Sequence, residues 1–174
     1  VVDTGVDYNH EDIKNNMWEG ASGHYGFDYA NSQDNNGDGD YDDAKDVKDT
    51  DPMDDHGHGT HVAGTIAAEG NNNIGIIGIA PKAKIMAVKA LDANGSGDIS
   101  DLAKAIVYAA DNGANVINNS WGAIIKPAPE LIVNAVNYAL DKNCVLLAAS
   151  GNSSSDVAYS TPANVPGVVS IGSV

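Results

Sequence analysis

Three short, nearly continuous apolar runs constrain this chain most: AKIMAV (83–88), ANVINN (114–119) and CVLLAAS (144–150). Runs of that length read as strands covered on both faces, the pattern of parallel sheets. Two helical patterns separate them. The first runs from about Ser100, whose hydroxyl is expected to cap the free amides, through Leu102, Ile106 and Ala110 to a stop at Asn112-Gly113. The second follows Pro127 and Pro129, carries Leu131, Val133, Val136 and Leu140, and ends at Lys142-Asn143. Strand, helix, strand, helix, strand predicts an α/β fold with a mainly parallel sheet and helices on both faces. At 174 residues one such domain is expected.

Composition excludes several functions. No stretch approaches the roughly 20 apolar residues of a membrane helix, and no membrane partner is expected. Acidic residues number 24 against 9 basic ones, all lysine, which argues against a nucleic-acid partner. Cys144 is the one cysteine and lies in an apolar run, so it is expected to be a small core residue rather than a thiol nucleophile. The chain opens on the strand-like VVDTG and closes on VVSIGSV; neither end reads as a natural terminus, and a domain truncated at both ends is expected. Between Asp28 and Asp55 stand eleven Asp and two Lys, so most of the net charge of −15 sits in one insertion spanning about 28–56.

In an open parallel sheet ligands bind beyond the carboxyl ends of the strands. Three polar groups fall there: Asp3 after VV, Asn118-Asn119-Ser120 after VI, and Ser150-Gly151-Asn152 after LLAA. Each alone reads as a turn. Together on one rim they read as a site. In DDHGHGTHVAG (54–64) three histidines precede a run of very small residues, Gly59, Ala63, Gly64, Ala67 and Ala68, which suits a buried helix from His58 to Glu69. His58 then heads the helix, and its imidazole needs a group that fixes the tautomer, for which Asp3 is the candidate. His61, one turn on, is expected to pack in the helix body, and His56 to lie in the loop.

These residues carry a family resemblance. VVDTGVDYNHEDI resembles the aspartate motif of the subtilisin-like serine proteases (subtilases), GHGTHVAGTIAA their histidine motif, and INNSWG with AASGN their substrate-strand and oxyanion segments, with NNIGIIGIAPKAKIMAVKAL between. The resemblance implies a three-layer subtilisin-like fold, a catalytic aspartate at Asp3, a general base at His58 and an oxyanion side chain at Asn152. Peptide substrate would add as a strand beside Gly95, Ser96 and Gly97 and beside Ser120, Trp121 and Gly122, with a first specificity pocket walled by Ala149, Ser150 and Gly151. Protein or peptide substrates and a prodomain partner are expected with the same likeness, while calcium-tuned sites, the absence of arginine and one buried thiol suit a secreted protein.

Departures matter as much. The family's Gly-Thr-Ser nucleophile motif occurs nowhere in the 174 residues, and no Gly-x-Ser-x-Gly elbow replaces it, so the chain as it stands is expected to be inactive. His56 stands where relatives commonly carry Asn, and Trp121 where many carry Leu.

Calcium is the implied cofactor. The family's high-affinity site would draw on the side chains of Asp12 and Asn72 and the carbonyls of Ile74 and Ile76, with Asn71 and Asn73 as alternatives to Asn72. In the acidic insertion DNNGDGDYDDAK begins like a calcium loop, with Asp34, Asn36 and Asp38 at positions 1, 3 and 5, yet Lys45 stands at position 12 where a bidentate Glu belongs. A non-EF calcium site including Asp42 is expected there, and a further one at Asp46, Asp49 and Asp51. Two other readings stay open: an inactive calcium-binding relative, and a zinc hydrolase using His58 and His61, although no His-Glu-x-x-His is present.

Overall fold

The computed structural model describes residues 1–33 and 47–173. Contacts cluster into two compact units, Val1 with Asp3–Gly97, and Val2 with Asp98–Val174.

Strand β1 (Val2–Asp3) gives its last residue, Asp3, to the first unit, which continues through β2 (Gly26–Gln33), β3 (Val47–Asp49), helix α1 (His58–Ala67) and β4 (Ala87–Lys89). β2 and β4 are parallel, with Gly26 opposite Ala87 and Asp28 opposite Lys89. The end of β1 is held by β4 and the residues just after it: the Val88 amide donates to the Val1 carbonyl at 2.9 Å and the Ala90 amide to the Asp3 carbonyl at 2.9 Å. β4 is buried throughout, as its apolar run requires. The flanks of the acidic insertion are strands rather than loop. β3 returns antiparallel to β2, Asp28 opposite Asp49, an arrangement that the low strand preference of Asp and Asn conceals in the sequence.

Helix α1 is made by its surroundings rather than by propensity, since glycine and threonine are poor helix formers. Its buried face is Gly59, Ala63, Gly64 and Ala67, and the adjoining core is built by Val6, Ile13, Met17, Ile85 and Ala87. The missing side chain at Gly59 lets the helix approach β1 closely: a Cβ there would overlap the Gly5 carbonyl oxygen. The helix ends at Ala67, short of Glu69.

The second unit contains α2 (Ile99–Asp111), β5 (Val116–Asn119), β6 (Ala123–Ile124), α3 (Glu130–Asp141), β7 (Val145–Ala149), β8 (Ser160–Thr161) and β9 (Val169–Ile171). β5, β7 and β9 run parallel, pairing Ile117 with Leu146 and Leu147 with Val169, while β6 and β8 form a small antiparallel pair. Both helices stop by the same device. Gly113 and Asn143 take left-handed backbone (φ +80° and +63°), and the amides of Ala114 and Cys144 reach back to the carbonyls of Ala109 and Ala139.

Three expectations need correction here. The N-cap of α2 is Asp98, not Ser100, and no side chain caps it. The buried face of α3 is Ile132, Ala135, Val136 and Ala139, while Leu131 is exposed; small alanines pack closer than the bulkier residues that dominate the periodicity. β5 and β7 are not covered on both faces, since Val116 and Val145, paired at the strand starts, are 53% and 49% exposed. Cys144 is buried as expected, with its thiol on the Ala114 carbonyl and its pKa pushed upward by burial, which disfavours the thiolate.

Candidate active site

The end of β1 delivers Asp3 into the first unit's interior, where it is fully buried. One carboxylate oxygen, Oδ1, accepts the Thr4 amide at 2.8 Å and faces Nδ1 of His58 at 2.7 Å. The other, Oδ2, is buried with no hydrogen-bond partner among the described residues. An ionised carboxylate only accepts, so the contact requires the proton on Nδ1, and in the neutral ring Nε2 then keeps its lone pair. His58 itself is 44% exposed at its side chain, while Asp3 beside it is fully buried.

The head of α1 is secured from the loop before it. Oδ1 of Asp54 accepts the amides of His56 (3.0 Å) and Gly57 (2.9 Å) and the hydroxyl of Thr4 (2.8 Å). Oδ2 takes the amide (2.9 Å) and hydroxyl (2.6 Å) of Thr60. Burial opposes ionisation of this carboxyl, but these donors outweigh it and hold Asp54 below the ordinary aspartate range. The helix thus gains from Asp54 the cap that Gly57 (φ +97°) lacks a side chain to supply. Thr4 completes the link, accepting the Gly59 amide at 2.9 Å on the hydroxyl that it donates to Asp54. Neither Asp54 nor Lys89, described below, stands out in the sequence. The available signals are an aspartate four residues ahead of the helix-heading histidine and a lysine inside the apolar run MAVKAL.

His56 lies exposed in the loop, its ring 6.3 Å from that of His58 and edge-on to it. His61 is exposed rather than packed in the helix body, because the small residues occupy the buried side of α1. Among the described residues no three His, Cys, Asp or Glu side chains converge, so His58 and His61 have no third zinc ligand there.

Gly95, Ser96 and Gly97 are exposed on a turn closed by Asp92, whose carboxylate accepts the amides of Asn94 and Ser96 and is held below its usual range by them. In the second unit, Ser120 accepts the Asn118 amide at 2.8 Å, Trp121 is half-buried and Gly122 exposed. A Cβ on Gly122 would lie 3.9 Å from the Ala149 carbonyl, so the 120–122 and 149–151 segments are neighbours. Ser150 is tied by its amide to the Ile171 carbonyl, Gly151 has φ +95°, and Asn152 follows, exposed.

Asp12 is buried, and its oxygens accept the Asn72 side-chain amide at 2.7 Å and the Ile76 amide at 3.0 Å. The Asn72 contact first, then that of Ile76, favours the ionised carboxylate and holds Asp12 below the ordinary aspartate range. Of the three asparagines it is Asn72 that contacts Asp12, between Asn71 and Asn73 with left-handed φ values of +64° and +62°. Gly75 forms a cradle that a side chain would fill, since a Cβ there would overlap the Asp12 carboxylate. An open pocket of about 370 Å³ adjoins it, lined in part by His10, Asp12, His61, Gly75 and Ile76. Asp49 accepts the Asp51 amide, and Asp51 accepts the Tyr8 hydroxyl at 2.8 Å, which pushes the phenol up to about 12. Asp34, Asn36, Asp38, Asp42 and Asp46 lie outside the described residues.

Comparison with known proteins bears on this geometry. The family model described as "Subtilase family" (Peptidase_S8) matches residues 1–174. The chain belongs to the subtilase family. It is 45% identical over its whole length to the thermophilic serine proteinase of Bacillus sp. (strain AK1) and spans 37% of that protein. To thermitase of Thermoactinomyces vulgaris it is 38% identical over 99% of its length, spanning 53% of that relative. The chain therefore covers about half, or less, of these relatives. Among solved structures, a protease of Pseudoalteromonas arctica PAMC 21717 superposes with a TM-score of 0.81 at 29% identity, covering 99% of this chain and 55% of the other. The subtilase fold, α/β with mainly parallel strands, is thus shown.

Proposed function

We propose that this subtilase chain contributes the aspartate, the histidine and the oxyanion asparagine of a secreted, calcium-stabilised serine endopeptidase. The observation that carries the reading is the 2.7 Å contact between buried Asp3 and His58 at the head of α1. In this reading Nε2 of His58 accepts the proton of a serine hydroxyl as that oxygen attacks the scissile carbonyl, and later returns it to the leaving amine. Asp3 keeps Nδ1 protonated and stabilises the imidazolium. Asn152 donates to the tetrahedral oxyanion. Residues 95–97 and 120–122 hold the peptide as an added strand, and 149–151 wall its first specificity pocket.

The nucleophile belongs to sequence outside the 174 residues, for no Gly-Thr-Ser stands within them. Residues 1–174 then form part of a catalytic domain with an acidic insertion at about 28–56. Asp12, Asn72, Ile74 and Ile76 supply an all-oxygen donor set suited to calcium, with further ligands in Asp34, Asn36, Asp38, Asp42, Asp49 and Asp51. Bound calcium would neutralise these carboxylates and brace their loops. Calcium ligation and a single buried thiol suit an extracellular setting. Substrates are proteins or peptides, and a prodomain is a further partner.

The test is to express the intact polypeptide and follow hydrolysis of an unfolded protein together with labelling by a serine-directed fluorophosphonate. Cleavage and labelling, both abolished in His58→Ala, are expected. An intact polypeptide that folds yet neither cleaves nor labels would instead favour a catalytically inactive calcium-binding relative.

A further inference from the structure

Lys89 is a lysine with no exposed surface, the last residue of β4. Its ammonium has three protons and uses all of them. It donates to the Thr4 carbonyl at 2.7 Å, the Leu91 carbonyl at 3.0 Å and Oδ1 of Asp55 at 2.6 Å. Burying an ammonium is costly, and a methionine would fill similar volume without that cost, so packing alone does not account for the residue. Its partners have one thing in common. Thr4 directly follows Asp3, and Asp55 lies three residues before His58. The peptides after Lys89 act on the same point, for the amides of Ala90 (2.9 Å) and Leu91 (3.2 Å) both donate to the Asp3 carbonyl. One buried cation thereby ties the backbone that carries the acid to the loop that carries the imidazole.

We infer that Lys89, with Asp55 as its counter-ion, is a positioning residue that fixes the separation of Asp3 and His58. The inference rests on the protease reading above and extends it. The clamp touches neither substrate nor the reacting atoms. It works on distance: Asp54 holds the loop to α1, and Lys89 holds the same loop to the end of β1, so the 2.7 Å contact is restrained from both sides. Loss of the ammonium leaves the Thr4 and Leu91 carbonyls without their donor and frees Asp55 to turn into solvent, where its side chain is already 46% exposed.

The experiment uses the intact enzyme. In Lys89→Met, kcat is expected to fall roughly tenfold to a hundredfold, the scale of an ångström's misplacement, with KM within about twofold. The low-field proton resonance of the His58 Nδ1–H is expected to move upfield or exchange away. A purely structural ion pair would lower the melting temperature and leave that resonance and kcat in place, which would overturn the inference. Should Lys89→Met not fold, Asp55→Asn serves: it removes the charge from a half-exposed position and is expected to shift the resonance in the same direction, and an unmoved resonance would overturn the inference as well. Failure of the underlying reading looks different, since the parent enzyme would then show no low-field proton that Asp3→Asn abolishes.

Discussion

Replacing Asp54 by alanine removes the acceptor of five hydrogen bonds, three from amides and two from hydroxyls, and the expected cost follows from where those donors lie. The His56 amide is exposed, and water can replace its partner at little cost. The loss of a helix cap at Gly57 and Thr60 costs about 0.5–2 kcal/mol. The Thr4 hydroxyl is the expensive one: Thr4 is 1% exposed, and a buried donor left unpaired costs about 1–3 kcal/mol. Together these give about 1.5–5 kcal/mol, or roughly 3–20 °C in melting temperature for a chain of this size. Calorimetry of the intact polypeptide measures it. A loss below about 0.5 kcal/mol would refute the claim that Asp54 anchors the head of α1. Asp54→Asn keeps an acceptor and is expected to lose about half as much. The pH dependence has a definite sign. Because the folded carboxyl ionises below its ordinary value of about 3.9, its stabilisation is fully present above that value and is lost as pH falls through the folded pKa. The difference between the parent and Asp54→Asn is therefore constant near neutrality and shrinks only below about pH 4.

Gly59→Ala places a methyl against the Gly5 carbonyl and 3.2 Å from the Asp3 Cβ, backbone and near-backbone atoms that cannot yield. It is expected to destabilise by about 1–3 kcal/mol and to lower kcat by pushing α1 off β1; unchanged stability in urea denaturation would contradict the close approach. Calcium at one hundred times its Kd is expected to stabilise the parent by about 2.7 kcal/mol. Asp12→Ala should lose most of that gain, and an equal gain in both would remove Asp12 from the ligand set.

The contact between Asp3 and His58 was legible because each marks the end of an element: an aspartate closing a valine strand, and a histidine opening a run of residues too small for anything but a buried helix. The facing of elements was harder to read. In α3 the apolar periodicity points to Leu131, but the helix turns Ala135 and Ala139 inward because alanines allow closer packing, and Leu131 is left exposed. His61 was misplaced for a related reason, since a helix of glycine and alanine carries little signal of which side is buried. The strands flanking the acidic insertion are hidden by their aspartates and asparagines. Asp54 and Lys89 carry little signal in the sequence because their partners are distant along the chain: Asp54 and Thr4 are separated by 50 residues, and Lys89 and Thr4 by 85.

The central claim is that Asp3 orients His58 as the base of a serine protease. Steady-state kinetics of Asp3→Asn in the intact enzyme tests it most directly, because the amide preserves shape while its N–H donor favours the imidazole tautomer with the proton on Nε2. A fall in kcat of about 10⁴, equivalent to roughly 5.5 kcal/mol, is expected with the fold intact. A folded Asp3→Asn enzyme that turns over within tenfold of the parent would contradict it.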